Sequence, residues 1–190
     1  MELKEAFEAR GYRFVEFWSR EDAVAYLCSE CNGKSVAFGG SVTVQELGLY
    51  EALSNRSTCA WHWKQDSAQS ISDSQIYITS ANAVSMSGEI VNIDGNCNRI
   101  SSSVYGHEQV YFVIGENKLT ADLSSALDRA KNVAAPKNAV RLNRNTPCVR
   151  DGRCHDCQSP DCICSTIAIV RRNPSSCQMT VVLIRESLGY

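Results

Sequence analysis

Short apolar, β-branched segments alternate with helix signals along this chain, and the alternation restricts its fold more than any other feature. A helical stretch at 2–10 precedes a strand signal at 12–18, and the strand signal at 35–40 ends in two glycines. Between these strands, Ser19 and Asp22 form a capping-box pattern that predicts a helix at about 19–31. Strands and helices in this order predict an α/β fold with a mainly parallel sheet and flanking helices.

The rest of the chain continues the pattern. Strand signals at 75–79, 88–93 and 109–115 precede an amphipathic helix at 119–135, which we expect Pro136 to end. Residues 65–74 are polar and predict a loop or a weak helix.

The last 50 residues are expected to form a separate part of the molecule. Two final strand signals, at 166–172 and 180–186, predict an antiparallel hairpin. We therefore expect an α/β core at 1–140. A cysteine-rich loop and C-terminal hairpin at 141–190 would pack on this core.

Length and charge exclude several classes of protein. A chain of 190 residues buries roughly 70% of its unfolded surface when it folds, so its core needs no disulfides. The formal net charge of −2 argues against a general nucleic-acid binder. The charged N-terminus predicts no secretory signal, and the apolar runs are too short to span a bilayer. We expect a cytoplasmic protein whose ten cysteines are metal ligands, redox groups or buried thiols.

Five of the cysteines fall within seventeen residues of one polar, turn-rich loop. They are Cys148, Cys154, Cys157, Cys162 and Cys164. Thiolates are soft ligands, so four of the five can complete a tetrahedral zinc site or hold a cubane iron–sulfur cluster. The alternative is a set of buried thiols, which the polarity of the loop argues against. A separate pair, Cys28 and Cys31, is expected to face the core from the end of a helix.

A strand that leads through two glycines into a helix predicts an anion-binding turn. After Gly39 and Gly40, the backbone N–H groups of 41–44 can cradle a phosphate or carboxylate. Thr43 and Glu46 form a second capping signature, which predicts one helix over 43–53. The segment lacks the glycine patterns of dinucleotide and nucleoside triphosphate sites, so no nucleotide cofactor is indicated. Ordinary turn formation is the alternative for these glycines.

The segment 79–100 combines small and amide side chains after a predicted strand end. Open α/β sheets place their ligands at such ends, and Arg99 can clamp a carboxylate or phosphate in a bidentate pair. Turn chemistry is the alternative for Asp94 and Gly95. Glu89 is the one carboxylate in the segment that can serve as a base or nucleophile, and no histidine completes a catalytic triad with it.

Five separated motifs, in order, resemble the short form of the lactate-utilisation (LUD) domain family. They are GGSVTVQELGL, SANAVSMSGEIVNIDGNCNRI, VIGENKL, RAKNVAAPKNAVR and PCVRDGRCHDCQSPDCIC. The resemblance covers about 38–164 and implies a fold like that of the NagB/RpiA/CoA-transferase superfamily. It also implies a LutC-like role as a component of an iron–sulfur system that oxidises L-lactate. The glutamate of the CoA transferases has no identified counterpart here.

The resemblance implies two sets of site residues. The ligand-binding positions are Gly39, Gly40, Ser41, Ser80, Asn82, Gly88, Asn92, Asp94, Gly95, Asn98, Arg99 and Lys118. The metal ligands are Cys148, Cys154, Cys157 and Cys164, with Cys162 as the alternate ligand.

Three hypotheses follow for the function. The leading one is a LUD-domain protein of lactate or organic-acid oxidation that binds a small anionic metabolite and carries a cysteine-ligated centre. An iron–sulfur cluster is favoured over zinc, electron-transfer subunits are the expected partners, and homo-oligomerisation is left open. The second is an isomerase, hydrolase or CoA-transferase-like enzyme whose cysteine loop holds structural zinc or nothing. The third is a non-catalytic subunit that senses a ligand.

Overall fold

Helices and strands alternate through this computed structural model, which describes residues 2–64 and 71–190. Of the loop or weak helix predicted at 65–74, residues 65–70 lie outside the described residues, and Ile71–Asp73 form a short 3-10 helix. The elements up to residue 94 are α1 (Leu3–Glu8), β1 (Arg13–Phe17), α2 (Arg20–Glu30), β2 (Ser35–Phe38), α3 (Val42–Glu46), α4 (Leu49–Ser54), β3 (Thr58–Trp61), β4 (Ile76–Thr79), β5 (Ala83–Ser85) and β6 (Ile90–Asp94). The later elements are α5 (Asn98–Val104), β7 (Gln109–Gly115), β8 (Leu119–Thr120), α6 (Leu123–Arg129), α7 (Ala135–Arg141), α8 (Cys148–Asp151), β9 (Thr166–Val170) and β10 (Gln178–Ile184).

Six parallel strands form the main sheet, in the order β1-β10-β7-β4-β2-β3. Its two faces are covered by separate apolar clusters, one around Leu27 and Trp61 and the other around Phe7 and Phe112. Parallel sheets are buried on both faces because the crossover helices lie there. The mainly parallel α/β architecture predicted from the sequence is thus confirmed.

A smaller sheet with the order β8-β5-β6-β9 packs beside the main one. β6 is antiparallel to both β5 and β9, whereas β8 is parallel to β5. A small apolar cluster that includes Ala83, Val91 and Ala126 joins this sheet to α6. β9 is one of its two edge strands, with alternating burial, as expected where one face meets solvent.

The predicted C-terminal hairpin is wrong, because its two strands belong to different sheets. β9 pairs with β6, whereas β10 lies between β1 and β7 and is parallel to both. Every residue of β10 after Gln178 is buried, which is typical of an interior parallel strand rather than of a hairpin arm. The predicted division at residue 140 therefore cuts across the main sheet.

Two helix predictions need correction as well. The helix that begins at Leu123 does not end at Pro136 but continues through a π-helical segment, Ala130–Ala134, into α7. Pro136 lies in the first turn of α7, where its missing N–H is tolerated. The helix predicted over 43–53 is split, because Gly48 adopts a left-handed conformation with φ of 61°.

Capping residues define the starts of the helices that flank the site. Ser19 accepts a hydrogen bond from the backbone of Asp22, as the sequence predicts, and Asp122 caps α6. Ser41, rather than Thr43, caps α3, and it accepts from the Val44 N–H at 3.3 Å. No helix in the described parts of the chain combines the length and apolar character needed to cross a membrane.

Candidate functional site

A cavity of about 440 Å³, here called the strand-end cavity, opens where loops leave the carboxyl ends of β2, β4 and β7. This is the edge at which open parallel sheets bind ligands. Most of the predicted ligand-binding residues line it: Gly40, Ser41, Ser80, Asn82, Asp94, Gly95, Asn98, Arg99 and Lys118. Residues that are far apart in the sequence thus form one surface.

Three predicted ligand-binding residues, Gly39, Asn92 and Gly88, do not line this cavity. A Cβ on Gly39 would lie 2.6 Å from the Tyr77 hydroxyl, so a glycine is needed for packing behind the cavity. Asn92 accepts a hydrogen bond from the Asn82 N–H at 3.0 Å and so supports the cavity loop from behind. Gly88 has φ of +89° in the turn between β5 and β6, against α1.

Lys118 is the most deeply buried charged side chain of the cavity, with 4% of its surface exposed. Its Nζ donates to Thr43 Oγ1 at 2.7 Å and to Ser80 Oγ at 2.8 Å. Within the described residues it has no carboxylate partner. Burial, followed by the charges of Arg129 and Arg99, lowers the pKa of Lys118 to about 7.

Arg99 presents unused hydrogen-bond donors in the same cavity. Its Nη2 donates to the Ile93 carbonyl at 2.6 Å and to Asn82 Oδ1 at 3.2 Å. Within the described residues, Nε and Nη1 of Arg99 have no hydrogen-bond partner. Burial lowers the pKa of this guanidinium, whereas Asp94 and Tyr77 favour its charged form. A guanidinium fixed in this way can bind a carboxylate or phosphate with its free edge.

Asp94 stabilises a turn, which agrees with the interpretation of Asp94 and Gly95 as turn residues rather than ligand contacts. Its carboxylate accepts hydrogen bonds from the backbone N–H groups of Asn96, Arg99 and Ile100, at the start of α5. A Cβ on Gly95 would lie 3.3 Å from the backbone of Ile163. The turn therefore holds Arg99 in place and lets the cysteine loop approach closely.

Several residues of the cavity wall were not singled out as ligand contacts from the sequence. They are His62, Trp63, Arg141, Arg144, Asp161 and Tyr190. Trp63 stacks on Trp61 with ring centroids 5.2 Å apart, and the Arg141 guanidinium lies 5.0 Å from the Trp63 ring. Burial lowers the pKa of His62, which favours a neutral imidazole. Two features of the sequence could have indicated these wall residues. They are the tryptophans on either side of His62 and the arginines at and after the end of α7.

Glu89 does not belong to this site. Its carboxylate accepts hydrogen bonds from the Ser85 and Ser87 hydroxyls and forms an ion pair with Arg10 at 2.5 Å. These contacts join the turn between β5 and β6 to the end of α1. The Glu89 carboxylate, which the sequence analysis considered as a base or nucleophile, is therefore engaged in structural contacts.

The five clustered cysteines surround a second cavity of about 260 Å³, here called the thiol cavity. All five are reduced and partly exposed. Burial, followed by the neighbouring Cys162, Cys154 and Cys148, raises the pKa of Cys164 to about 12. In the parts of the chain that the structure describes, no three Cys, His, Asp or Glu side chains are arranged to hold a metal ion.

The donor chemistry of the thiol cavity nevertheless fits a soft metal or an iron–sulfur cluster, because five cysteines line one cavity. Binding would require the loop to draw four sulfurs together. His155 interacts with Asp151 at 2.8 Å, with both side chains exposed. The other cysteine pair, Cys28 and Cys31, lies buried in the main core, as expected.

The two cavities are adjacent and share part of their walls. Ile93, Ala135, Cys162 and Ile163 line both. Cys162 is the alternate ligand of the predicted metal set. A ligand in the strand-end cavity and a group in the thiol cavity would thus both contact these shared residues.

Comparison with known proteins agrees with this architecture. The model of the LUD domain family matches residues 1–184. The fold is similar to that of a DUF162 family protein from Deinococcus radiodurans, whose crystal structure is 13% identical in sequence, with a TM-score of 0.51 and 96% of each chain covered. No curated protein matches the chain. Because the family model spans nearly the whole sequence, the chain belongs to the LUD domain family.

Proposed function

We propose that the protein binds a small organic anion, with a carboxylate or phosphate group, in the strand-end cavity. One observation carries the proposal: Arg99, whose Nε and Nη1 have no hydrogen-bond partner among the described residues, lines the same cavity as the buried amine of Lys118. Arg141 and Arg144 add positive charge to the wall, whereas the carboxylates of Asp94 and Asp161 both accept hydrogen bonds from backbone N–H groups. An anion would complete the hydrogen bonding of Arg99 and offset this excess of positive charge.

The same proposal includes a cysteine-ligated centre in the thiol cavity, with an iron–sulfur cluster favoured over zinc. Cys148, Cys154, Cys157 and Cys164 would hold it, with Cys162 as the alternate ligand. A bound cluster supplies one-electron transfer, and partner subunits would carry the electrons onward in the oxidation of lactate or a related organic acid. The gathering of five thiols around one cavity supports this part of the proposal. The protein would act in the cytoplasm.

Binding of the anion can be tested separately from the metal centre. Thermal unfolding with oxalate, lactate, pyruvate or phosphate should give a higher midpoint for at least one carboxylate, since a ligand of the folded state stabilises it. An unchanged midpoint with all of these anions, over a range that saturates a weak site, would contradict the proposal.

The metal centre requires protein purified without oxygen. Iron and sulfide analysis, together with an absorption spectrum, should show an iron–sulfur cluster. Zinc without iron or sulfide would identify a structural zinc site in the cysteine loop instead. A preparation without any of these would contradict a metal centre in the thiol cavity.

An enzyme with isomerase, hydrolase or transferase chemistry is the second candidate, and Lys118 favours it. Burial and neighbouring cations keep this amine near neutrality, and enzymes arrange lysines in this way for acid–base or nucleophilic work. Under this candidate, turnover would survive replacement of Cys154 and Cys157. Under the electron-transfer proposal, the same replacement would abolish it.

A further inference from the structure

Lys118 offers an amine that the binding proposal leaves chemically unused. It ends a short 3-10 turn, Glu116–Lys118, that follows β7. Both of its hydroxyl partners, Thr43 and Ser80, line the strand-end cavity, as does Lys118 itself. The amine is therefore shielded from bulk water by the fold but is reachable by a molecule inside the cavity.

The surroundings of Lys118 favour a neutral amine with a free lone pair. The neighbouring charges of Arg129 and Arg99 disfavour protonation, and Glu46 is the acid that weakly opposes them. That carboxylate is itself engaged with the Gly189 N–H at 2.7 Å. A neutral amine has two N–H donors, and two hydroxyl acceptors lie within hydrogen-bond distance of Nζ. The lone pair is then available as a nucleophile.

Arg99 indicates which electrophile suits this amine. Its Nε and Nη1 donors, which have no partner among the described residues, suit a carboxylate, and Arg99 lines the same cavity as Lys118. A 2-oxo acid carries a carboxylate and an electrophilic carbonyl on adjacent carbons. Such a molecule can engage the guanidinium and the amine together, whereas a simple carboxylate engages the guanidinium alone.

We propose that Lys118 is a nucleophile that forms an imine with a 2-oxo acid held by Arg99 in the strand-end cavity. This inference rests on the proposed anion binding and names the substrate class of that site. Nζ attacks the carbonyl carbon, and the carbonyl electron pair moves to oxygen and gives a carbinolamine. The C–O bond then breaks as the C=N bond forms, and the oxygen leaves as water with the two amine protons. No oxidant or reductant is consumed, and the hydroxyls of Thr43 and Ser80 are placed to relay the protons.

Reductive trapping tests this inference directly. The full-length protein is incubated with pyruvate and sodium cyanoborohydride, which reduces an imine to a stable secondary amine, and the adduct is located by peptide mass mapping. We expect one adduct per chain, on Lys118. Lys118→Met should lose it, whereas Lys137→Met, which removes an exposed lysine that lines neither cavity, should keep it. The wild-type map decides the matter even if Lys118→Met fails to fold.

Oxalate separates failure of the inference from failure of the proposed function, because it has two carboxylates and no ketone. If oxalate raises the unfolding midpoint but pyruvate leaves no adduct on Lys118, the site binds anions and the imine proposal is wrong. If pyruvate modifies all the lysines alike, the proposal is also wrong. If neither anion binds and no adduct forms, the proposed function falls with it.

Discussion

The strand-end and thiol cavities share a wall, yet they are built differently. In the first, the Arg99 side chain is fixed by hydrogen bonds to two strand-end residues, Ile93 and Asn82. In the second, the five sulfurs lie between α7 and β9, and no three potential ligands of the described residues converge. The strand-end cavity therefore has polar groups already fixed for a ligand, whereas the cysteine loop would have to rearrange to bind one.

The largest expected effect concerns the thiol cavity. Replacing both Cys154 and Cys157 by serine should remove the bound metal completely, because too few thiolates would remain to hold it. Oxalate affinity should not change, since these residues do not line the strand-end cavity. Metal analysis and oxalate titration measure the two effects.

The control for that pair is Cys97→Ser, outside the loop, where the Cys97 sulfur lies 2.8 Å from the Thr166 hydroxyl. It should keep the metal. If the double variant kept its metal, the proposal of a metal site in the thiol cavity would be wrong. Loss of oxalate binding would show that the cavities are not independent.

The second effect is a pH dependence that originates in the strand-end cavity. The folded-state pKa of Lys118, about 7, lies below the ordinary value of 10.5, so the unfolded chain binds a proton there that the folded chain does not. The Lys118 contribution to the free energy of unfolding should therefore rise with pH between these values, by up to about 1.4 kcal/mol per pH unit. Below pH 7 the full cost of charging the buried amine remains.

Comparison with Lys118→Met isolates this contribution. Buried thiols such as Cys31, whose pKa burial raises to about 12, act in the opposite direction and are common to both proteins. The free energy of unfolding of the wild type minus that of the variant, from chemical denaturation, should increase from neutral to alkaline pH. A difference that stays flat would mean that Lys118 keeps an ordinary pKa.

How far the sequence could predict these regions depends on the range of the interactions. The capping pattern of Ser19 and the strand–glycine–helix order around Gly39 are local, and both are present in the fold. The position of β10 is not local, because its partners β1 and β7 are 167 and 69 residues away at their first pairings. A continuous apolar run is compatible with a strand in a hairpin and with a strand in a parallel sheet. The apolar pattern alone therefore could not show which strands pair with β10.

The candidate site shows the same difference between features that local sequence patterns predict and features that depend on long-range contacts. Strand-end loops meet by the geometry of a parallel sheet, which is why the predicted positions Ser80, Arg99 and Lys118 come together. The burial of Lys118, by contrast, depends on contacts between distant segments, such as its hydrogen bond to Thr43 Oγ1. The position of Arg141 could not be predicted in this way. The sequence predicts a helix that ends at Pro136, whereas a π-helical segment before Pro136 leads into α7, which carries Arg141.

The third prediction concerns Arg99 itself. Arg99→Met should weaken oxalate binding by about 10- to 100-fold, because charge-assisted hydrogen bonds contribute about 1.5–3 kcal/mol. Arg99→Lys should bind with intermediate affinity, since it keeps the charge and loses the fork. Metal content should stay the same in both variants.

Arg56→Met is the matched control, because Arg56 is exposed and lines neither cavity. Calorimetric titration should show wild-type affinity in this variant. Equal affinity in the wild type and Arg99→Met would place the anion site elsewhere.

A pair of glycine variants compares the packing of the two regions. Gly39→Ala should destabilise the fold by about 1–3 kcal/mol, because the new Cβ would lie 2.6 Å from the Tyr77 hydroxyl and 2.7 Å from that of Thr79. Gly152, on the cysteine loop, has open space around it but φ of +76°, so alanine there should cost about 1 kcal/mol of backbone strain. Chemical denaturation ranks the two, and a larger loss at Gly152 would contradict the difference in packing.

The smallest effect is expected at the surface of the thiol cavity. Lys131 pairs with Asp156 at 2.6 Å, but 80% of the aspartate side chain is exposed. Lys131→Met should change the free energy of unfolding by less than about 1 kcal/mol and leave the metal content as it is. A larger loss of stability, or loss of metal, would show that this ion pair organises the loop.

A crystal structure with bound oxalate would show whether Arg99 and Lys118 form one anion site at the strand ends. We expect a carboxylate within hydrogen-bond distance of Nε and Nη1 of Arg99, inside the strand-end cavity. Oxalate ordered at another surface, with none in this cavity at saturating concentration, would contradict the account.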